Sequence, residues 1–304
     1  MPDNLQQLFE PYKEIVRFNE PMSKHTSFGI GGPAEIFITP RTIEETQEIY
    51  LLCQRNKLPV RALGNGTNLL VRDEGVKTVV IKQILTGLNF SGHYVEVEAG
   101  YSLAHLVREC LHQGLSGLEG LAGIPGSVGG AVAMNAGGKY GTIGKYISSI
   151  IALNRFGEEQ FIDGSRITFG YRTSSLKNNP ASPAGGFIIL SITLKLAKGD
   201  PAELKKRFED VLREKSETQP LGARSAGCAF KNPPEPNPSA GKLIDEAGLK
   251  GYTIGGAQVS DKHANFIINK GNGSANDILT LLKHIQKTVR TKSGIALEPE
   301  VEIW

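Results

Sequence analysis

Apolar residues in this chain follow two rhythms. Tyr94 to Glu98 (YVEVE) alternates apolar with polar, and Lys77 to Lys82 (KTVVIK) is a short β-branched run. Period two and β-branching both predict strands. Phe187 to Leu196 (FIILSITLKL) predicts a long strand, Pro59 to Leu63 a short one, and Glu35 to Thr39 (EIFIT) another. Ile147 to Asp163 predicts a hairpin turning at Phe156-Gly157, and Leu297 to Ile303 a final strand. Elsewhere the spacing is helical. Ile278, Leu281, Leu282, Ile285 and Val289 make one apolar face behind Ser274, a cap residue. Thr42-Ile-Glu-Glu45 is a capping box opening a helix of about four turns, to near Lys57. Ser102 predicts a capped helix through His112. Asp200-Pro-Ala-Glu203 supplies a cap, a proline at the first helical position and a glutamate at the third, for a helix to about Glu217. Strands and helices come in mixed order, which predicts an α+β fold rather than a doubly wound parallel sheet.

A chain of 304 residues has room for two or three domains. With 39% hydrophobic and 21% charged residues, disorder of the whole chain is excluded. Charge is 34 − 31 = +3 and carries no basic block. That argues against nucleic acid or a membrane as an electrostatic partner. The three cysteines, Cys53, Cys110 and Cys228, form no CxxC pair, so no metal site is expected and a reducing cytosol fits best. The first 18 residues hold charges and no apolar run, so no signal peptide is expected. Leu115 to Gly138 carries only one charge, Glu119, but its eight glycines and Pro125 make a poor membrane helix. The expectation is a soluble, cytoplasmic protein.

Glycine is the outlier, at 36 of 304 residues, about 12% against a usual ~7%. Gly29-Ile-Gly-Gly-Pro-Ala34 matches a dinucleotide fingerprint in letters only, because Pro33 leads into a strand rather than a helix. No phosphate-binding P-loop is present. Gly64-Asn65-Gly66-Thr67-Asn68 follows a strand directly. It suits an anion nest of backbone N–H groups, and equally a plain turn. Gly123-Ile124-Pro125-Gly126-Ser127-Val128-Gly129-Gly130, then Asn135 to Gly138, sets glycine among apolar residues. A flat ring system or a pyrophosphate fits such a close-approach surface, and so does a tight sheet corner. Phe169-Gly-Tyr171-Arg172, Gly227-Cys228 with Lys231 and Asn232, and Leu297-Glu-Pro-Glu300 place polar groups in apolar or glycine-rich settings. Arginine, thiol and carboxylate suit anchor, acid and polariser. Spacing alone allows a structural ion pair of Arg172 with Glu300 and a core role for Cys228.

Taken together, the segments resemble the UDP-N-acetylenolpyruvoylglucosamine reductase (MurB) family. They are KHTSFGIGGPAE (Lys24 to Glu35), LGNGTNLLV (Leu63 to Val71), GLEGLAGIPGSVGGAVAMNAG (Gly117 to Gly137), FGYRTS (Phe169 to Ser174), SAGCAFKNP (Ser225 to Pro233), AGKLIDEAGLKG (Ala240 to Gly251) and LEPEV (Leu297 to Val301). The short chain between Tyr171 and Phe187 resembles the shorter type, which lacks an extra substrate-clamping loop and its tyrosine.

The resemblance implies a two-lobed FAD-binding portion of the MurB/vanillyl-alcohol-oxidase kind, at 1–76 and 77–205. It implies a C-terminal α/β substrate domain at 206–304, with a last strand returning to the active site. FAD is then held non-covalently by Gly64 to Asn68 and by Gly123 to Ser127, Gly129 and Gly130. NADPH is the co-substrate, and the implied reaction reduces UDP-GlcNAc-enolpyruvate to UDP-MurNAc for peptidoglycan. Arg172 holds the substrate carboxylate as charge develops, Glu300 polarises it, and Cys228 supplies the proton to C2. Tyr171, Lys231, Asn232, Lys250 and His263 are the implied substrate contacts. Cys228 departs from the family, whose donor is usually serine, and a thiol (pKa ~8.5) is much the stronger acid. A monomer with ping-pong kinetics is also implied. Two other readings stay open: an oxidase of the same fold, and a flavin- or UDP-sugar-binding protein that has lost turnover.

Overall fold

The computed structural model describes residues 3–177 and 187–304. The expectation of a shorter type without the tyrosine loop falls on residues 178–186, outside the described residues. The chain forms two compact units. One comprises Met1–Glu20, Ala34–Asn65 and Lys77–Leu212; the other comprises Pro21–Pro33, Gly66–Val76 and Arg213–Trp304.

Among the described residues, the first unit holds a four-stranded and a five-stranded sheet beside smaller two-stranded ones. In the four-stranded one, Val60–Leu63 and Val76–Lys82 run parallel, with Val60 opposite Val79 and Leu63 opposite Lys82. Val79, Val80 and Ile81 are all buried, which is why a continuous apolar run sits here rather than an alternating one. The helix Ile43–Arg55 packs Ile49, Tyr50 and Cys53 into the same core as Ile36, Ile38 and Ile81. The five-stranded sheet is antiparallel, ordered Glu159–Asp163, Ile147–Leu153, Ile188–Lys195, Tyr94–Glu98 and Leu88–Ser91. Val95 and Val97 face its core while Tyr94 and Glu96 are exposed, as the alternation requires.

The second unit packs the helices Ala240–Glu246 and Ala275–Ser293 with the strands Thr253–Ile254, Ala257–Val259 and Ile267–Asn269. Phe28, Ile30 and Leu70, from its two earlier segments, lie in the same core. The long helix buries Ile278, Leu281, Leu282, Ile285 and Val289, the face read from the sequence. Ser274 and Asp277 form a complete capping box there, and Gly294 ends the helix at φ 75°. In the Thr42 box the cap accepts from the Glu45 N–H at 3.1 Å, but the Glu45 carboxylate takes the Arg41 N–H instead.

One expectation needs correction, and one element is new. Leu297 to Ile303 is not one strand: only Glu302–Ile303 is, pairing parallel to Leu69–Leu70. Pro299 has no N–H to continue a ladder, and the segment changes partners around it. The Glu298 carbonyl accepts from the Lys231 N–H and the Glu300 N–H donates to the Ala229 carbonyl before the chain reaches Leu69–Leu70. The glycine-rich stretch also holds a helix that propensity argues against, Val128–Ala133. Ser127 caps it, and burial of Val128, Ala131 and Val132 stabilises it.

Candidate active site

In the first unit, the two glycine-rich segments meet. A Cβ on Gly64 would lie 2.2 Å from the Ser127 Oγ, so any larger residue there would displace that hydroxyl. Gly129 is glycine for a plainer reason: its N–H donates to the Ala99 carbonyl at 2.8 Å, and a Cβ would lie 2.8 Å from the Ala99 Cβ. Gly123 and Gly126 have φ of 72° and 129°, which side chains rarely adopt. Ile124 and Gly126 are half-buried, while Pro125 and Gly130 are exposed. Among the described residues, the Asn65 and Gly66 N–H groups donate to no backbone carbonyl, as a nest awaiting an anion requires.

Next to this junction is Gln83, which the sequence did not single out. Its N–H donates to the Leu63 carbonyl at 2.9 Å, one residue before Gly64. Its side chain is buried, and neither amide atom has a hydrogen-bond partner. Nothing marks it in the sequence, where it reads as the residue ending a strand.

Tyr171 and Arg172 form the tip of a small hairpin in which Phe169 faces Ser174 and Gly170 faces Thr173. Arg172 sits at φ 57°, a conformation glycine would adopt freely and an arginine adopts under strain. Its Nη1 donates to the Gly137 carbonyl at 2.6 Å, and its guanidinium lies 5.4 Å from the Tyr171 ring. Asn135 fixes the hairpin: its Nδ2 donates to the Gly170 carbonyl at 2.8 Å and its Oδ1 accepts from the Gly144 N–H at 3.1 Å. Asn135 itself is buried at φ 45°.

In the second unit, Gly66 is required by a close approach, since a Cβ would lie 2.0 Å from the His25 carbonyl oxygen. Its own carbonyl accepts from the Ser27 N–H, and the Ser27 hydroxyl donates to the Ser225 carbonyl at 2.6 Å. Cys228 is half-buried and pairs antiparallel with Phe266. Its neighbours are clamped on both edges. Asn265 accepts from the Phe230 N–H at 3.0 Å and donates to the Phe230 carbonyl at 2.8 Å, a side chain standing in for a strand. On the other edge Phe230 pairs with Pro299, and the Glu300 N–H donates to the Ala229 carbonyl at 2.8 Å. The thiol-bearing and carboxylate-bearing segments are therefore side by side. Asn68 holds the carboxylate-bearing segment, donating from Nδ2 to the Glu300 carbonyl at 3.1 Å.

The remaining residues are more loosely grouped. Asn232 accepts the Ala240 N–H at 3.0 Å, so it helps start the helix Ala240–Glu246. Lys231 is 3.4 Å from Glu298, and Lys250 is 2.7 Å from Asp245. His263 lies beside that same helix, where a Cβ on Gly241 would meet its Cε1 at 3.2 Å. Its Nδ1 accepts the Asn265 N–H, so the proton of the neutral ring is on Nε2. Burial, and secondarily Lys250, hold its pKa below the usual imidazole range, so it is neutral at pH 7.

Residues 219–304 match the family described as UDP-N-acetylenolpyruvoylglucosamine reductase, C-terminal domain, and residues 34–160 match FAD binding domain. The UDP-N-acetylenolpyruvoylglucosamine reductase of Clostridium botulinum (strain Hall) is 43% identical over 289 residues, 95% of this chain and 92% of its own. That of Desulfosudis oleivorans is 40% identical over 299 residues, covering 96% of this chain and 95% of its own. The chain belongs to the UDP-N-acetylenolpyruvoylglucosamine reductase family. The crystal structure of the family member from Thermus caldophilus superposes with a TM-score of 0.81 at 39% identity, over 95% of this chain and 99% of that one. The α+β reading and the FAD-binding portion hold for this reductase-family chain. One structural ground also fits FAD: among the described residues the Asn65 and Gly66 N–H groups donate to no backbone carbonyl and would be available to the cofactor's phosphates. Among the described residues, no helix is long and apolar enough to cross a membrane, and no group of three metal-ligating side chains occurs.

Proposed function

We propose that this chain reduces UDP-GlcNAc-enolpyruvate to UDP-MurNAc, with NADPH as reductant and FAD held non-covalently. The observation that carries the reading is the 2.8 Å bond from the Glu300 N–H to the Ala229 carbonyl, which pairs the segment bearing Glu300 with the segment bearing Cys228 in a chain of this family. Gly64 to Asn68 and the Gly123 to Gly130 segment would hold the cofactor. FAD, when bound, supplies the hydride chemistry, which no side chain can perform.

The protein groups answer the charge flow in the substrate. Hydride added at C3 of the enolpyruvyl group drives electron density onto C2 and its carboxylate. Arg172, always protonated, orients that carboxylate and stabilises the growing charge. Its strained turn and its bond to Gly137 fix the guanidinium before substrate arrives. Glu300, in its protonated form, hydrogen-bonds the same carboxylate. The Cys228 S–H gives its proton to C2, and solvent restores it. Tyr171, Lys231, Asn232, Lys250 and neutral His263 would contact the UDP-sugar. The same reading includes the partition at 1–76, 77–205 and 206–304, a monomer, a cytoplasmic location, and no nucleic-acid or membrane partner.

The test is anaerobic flavin absorbance. NADPH should bleach the protein, and UDP-GlcNAc-enolpyruvate should restore its colour. Bleaching without recovery sinks the substrate assignment. Bleaching by a sugar alone makes the chain an oxidase.

A further inference from the structure

The helix Val128–Ala133 ends in a Schellman motif: the Asn135 N–H donates to the Val132 carbonyl and the Ala136 N–H to the Ala131 carbonyl. Asn135, at φ 45°, holds the left-handed position of that motif, where glycine is the usual residue. Ending the helix therefore does not require an asparagine. Its side chain does something glycine cannot. Nδ2 donates to the Gly170 carbonyl at 2.8 Å, and Oδ1 accepts from the Gly144 N–H at 3.1 Å. Gly144 is wedged in place, since a Cβ there would lie 2.6 Å from the Phe169 ring and 2.7 Å from the Asn135 Oδ1. Two attachments of Arg172 lead back to Asn135. Its backbone belongs to the hairpin in which Gly170 faces Thr173. Its Nη1 donates to the carbonyl of Gly137, in the loop that Asn135 begins. All of these residues lie in the first unit, and Asn135 is buried at 6% exposure.

We infer that Asn135 is a positioning residue for the reductive step: through Gly170 and Gly137 it sets where the Arg172 guanidinium stands when the substrate carboxylate arrives. A guanidinium grips a carboxylate through a planar fork, so a displacement of about 1 Å loses much of its effect. Asn135 touches neither substrate nor cofactor in this account and acts through Arg172. The inference rests on the reductase reading, which places Arg172 on the substrate carboxylate.

The test is a double-mutant cycle on the full-length holoenzyme: wild type, Asn135→Gly, Arg172→Gly and the two together. Each is reduced with NADPH under anaerobic conditions. Reoxidation of the flavin by UDP-GlcNAc-enolpyruvate is then followed in a single turnover, over hours for the slowest variant. Thermal unfolding shows that each is folded. Asn135→Gly should slow reoxidation about tenfold when Arg172 is present and less than about twofold when it is absent, because residues in one network do not add. An equal fold-loss in both backgrounds makes Asn135 a structural residue only and overturns the inference. A wild-type rate in either single variant overturns it as well. These outcomes leave the reductase activity standing. Failure of the reduced wild type to reoxidise on substrate overturns both. Should Asn135→Gly not fold, Asn135→Asp serves the same cycle. It keeps an acceptor for the Gly144 N–H and, ionised at about pH 8, has no proton to donate to Gly170.

Discussion

Asn68 is bonded to the Glu300 segment twice. Its Nδ2 donates to the Glu300 carbonyl at 3.1 Å, and its own carbonyl accepts from the Glu302 N–H at 3.0 Å. A loop residue thus sets where the last carboxylate-bearing segment runs. Asn68→Ala removes the side-chain bond and should cost about 1 kcal/mol of stability. Turnover should fall about tenfold, because small misplacements of a catalytic group are expensive. Thermal unfolding and steady-state kinetics check both. A full-rate Asn68→Ala would mean that Glu300 keeps its place without the tether.

Arg172 supplies a different kind of test, because strain and function point in opposite directions. Arg172→Gly relieves the left-handed backbone but loses the bond to Gly137, effects of about 1 kcal/mol each that nearly cancel. Stability should barely change, while turnover falls about a hundredfold or more. Arg172→Lys keeps the charge and loses the planar fork, so it should fall between. Near wild-type rates in both variants would remove Arg172 from the chemistry.

Cys228 stands apart from the other two cysteines. Cys53 and Cys110 are fully buried, and burial pushes each thiol up to about 12. Iodoacetamide should therefore modify one thiol per native chain, at Cys228, and activity should fall with it. Cys228→Ser should keep measurable turnover and Cys228→Ala should lose most of it. Equal, near wild-type rates in Ser and Ala variants would show that the proton comes from elsewhere. Mass spectrometry of the labelled peptide settles the first part.

His263 ties pH to stability. Its folded pKa is lowered, chiefly by burial, so below about 6.5 the unfolded chain binds a proton that the folded chain refuses. Its contribution to stability is present above the unfolded pKa and is lost as pH falls through the folded one. NMR titration of the ring should place the midpoint below 6.5. Lys250→Met should raise it, since Lys250 adds to the depression. His263→Gln should flatten the pH dependence of unfolding in that window. A midpoint at or above the usual imidazole value would contradict the burial described.

Much of this was readable from the chain, for a physical reason in each case. Thr42, Ser102 and Ser274 mark helix starts because a hydroxyl there answers orphan N–H groups within three residues. YVEVE reveals a strand because side chains alternate across a sheet, and KTVVIK because a short β-branched run suits a strand buried on both faces. What stayed hidden depends on partners far away in sequence. The helix Val128–Ala133 defies its glycines because Ser127 caps it and its apolar side chains are buried. The segment from Leu297 cannot show that it will pair with Ala229 and then with Leu69–Leu70. Among candidate site residues, Arg172 and Cys228 stood out as polar groups in apolar or glycine-rich surroundings. Gln83, Asn135 and Asn265 did not, because an amide announces itself only when its donors and acceptors are traced in space.

The second unit is assembled from Pro21–Pro33, Gly66–Val76 and Arg213–Trp304, and the Trp304 carbonyl and N–H bond to Arg72 and Leu70. The early pieces leave the ribosome long before the residues they need. At roughly 5–20 residues per second, the strand Leu69–Leu70 waits on the order of ten seconds or more for its partner. Through that interval Phe28, Ile30 and Leu70, all buried in the finished protein, are exposed on a nascent chain. A chain lacking Glu302–Ile303 would lack the edge that Leu69–Leu70 must pair with, and would leave those side chains to chaperones and proteases.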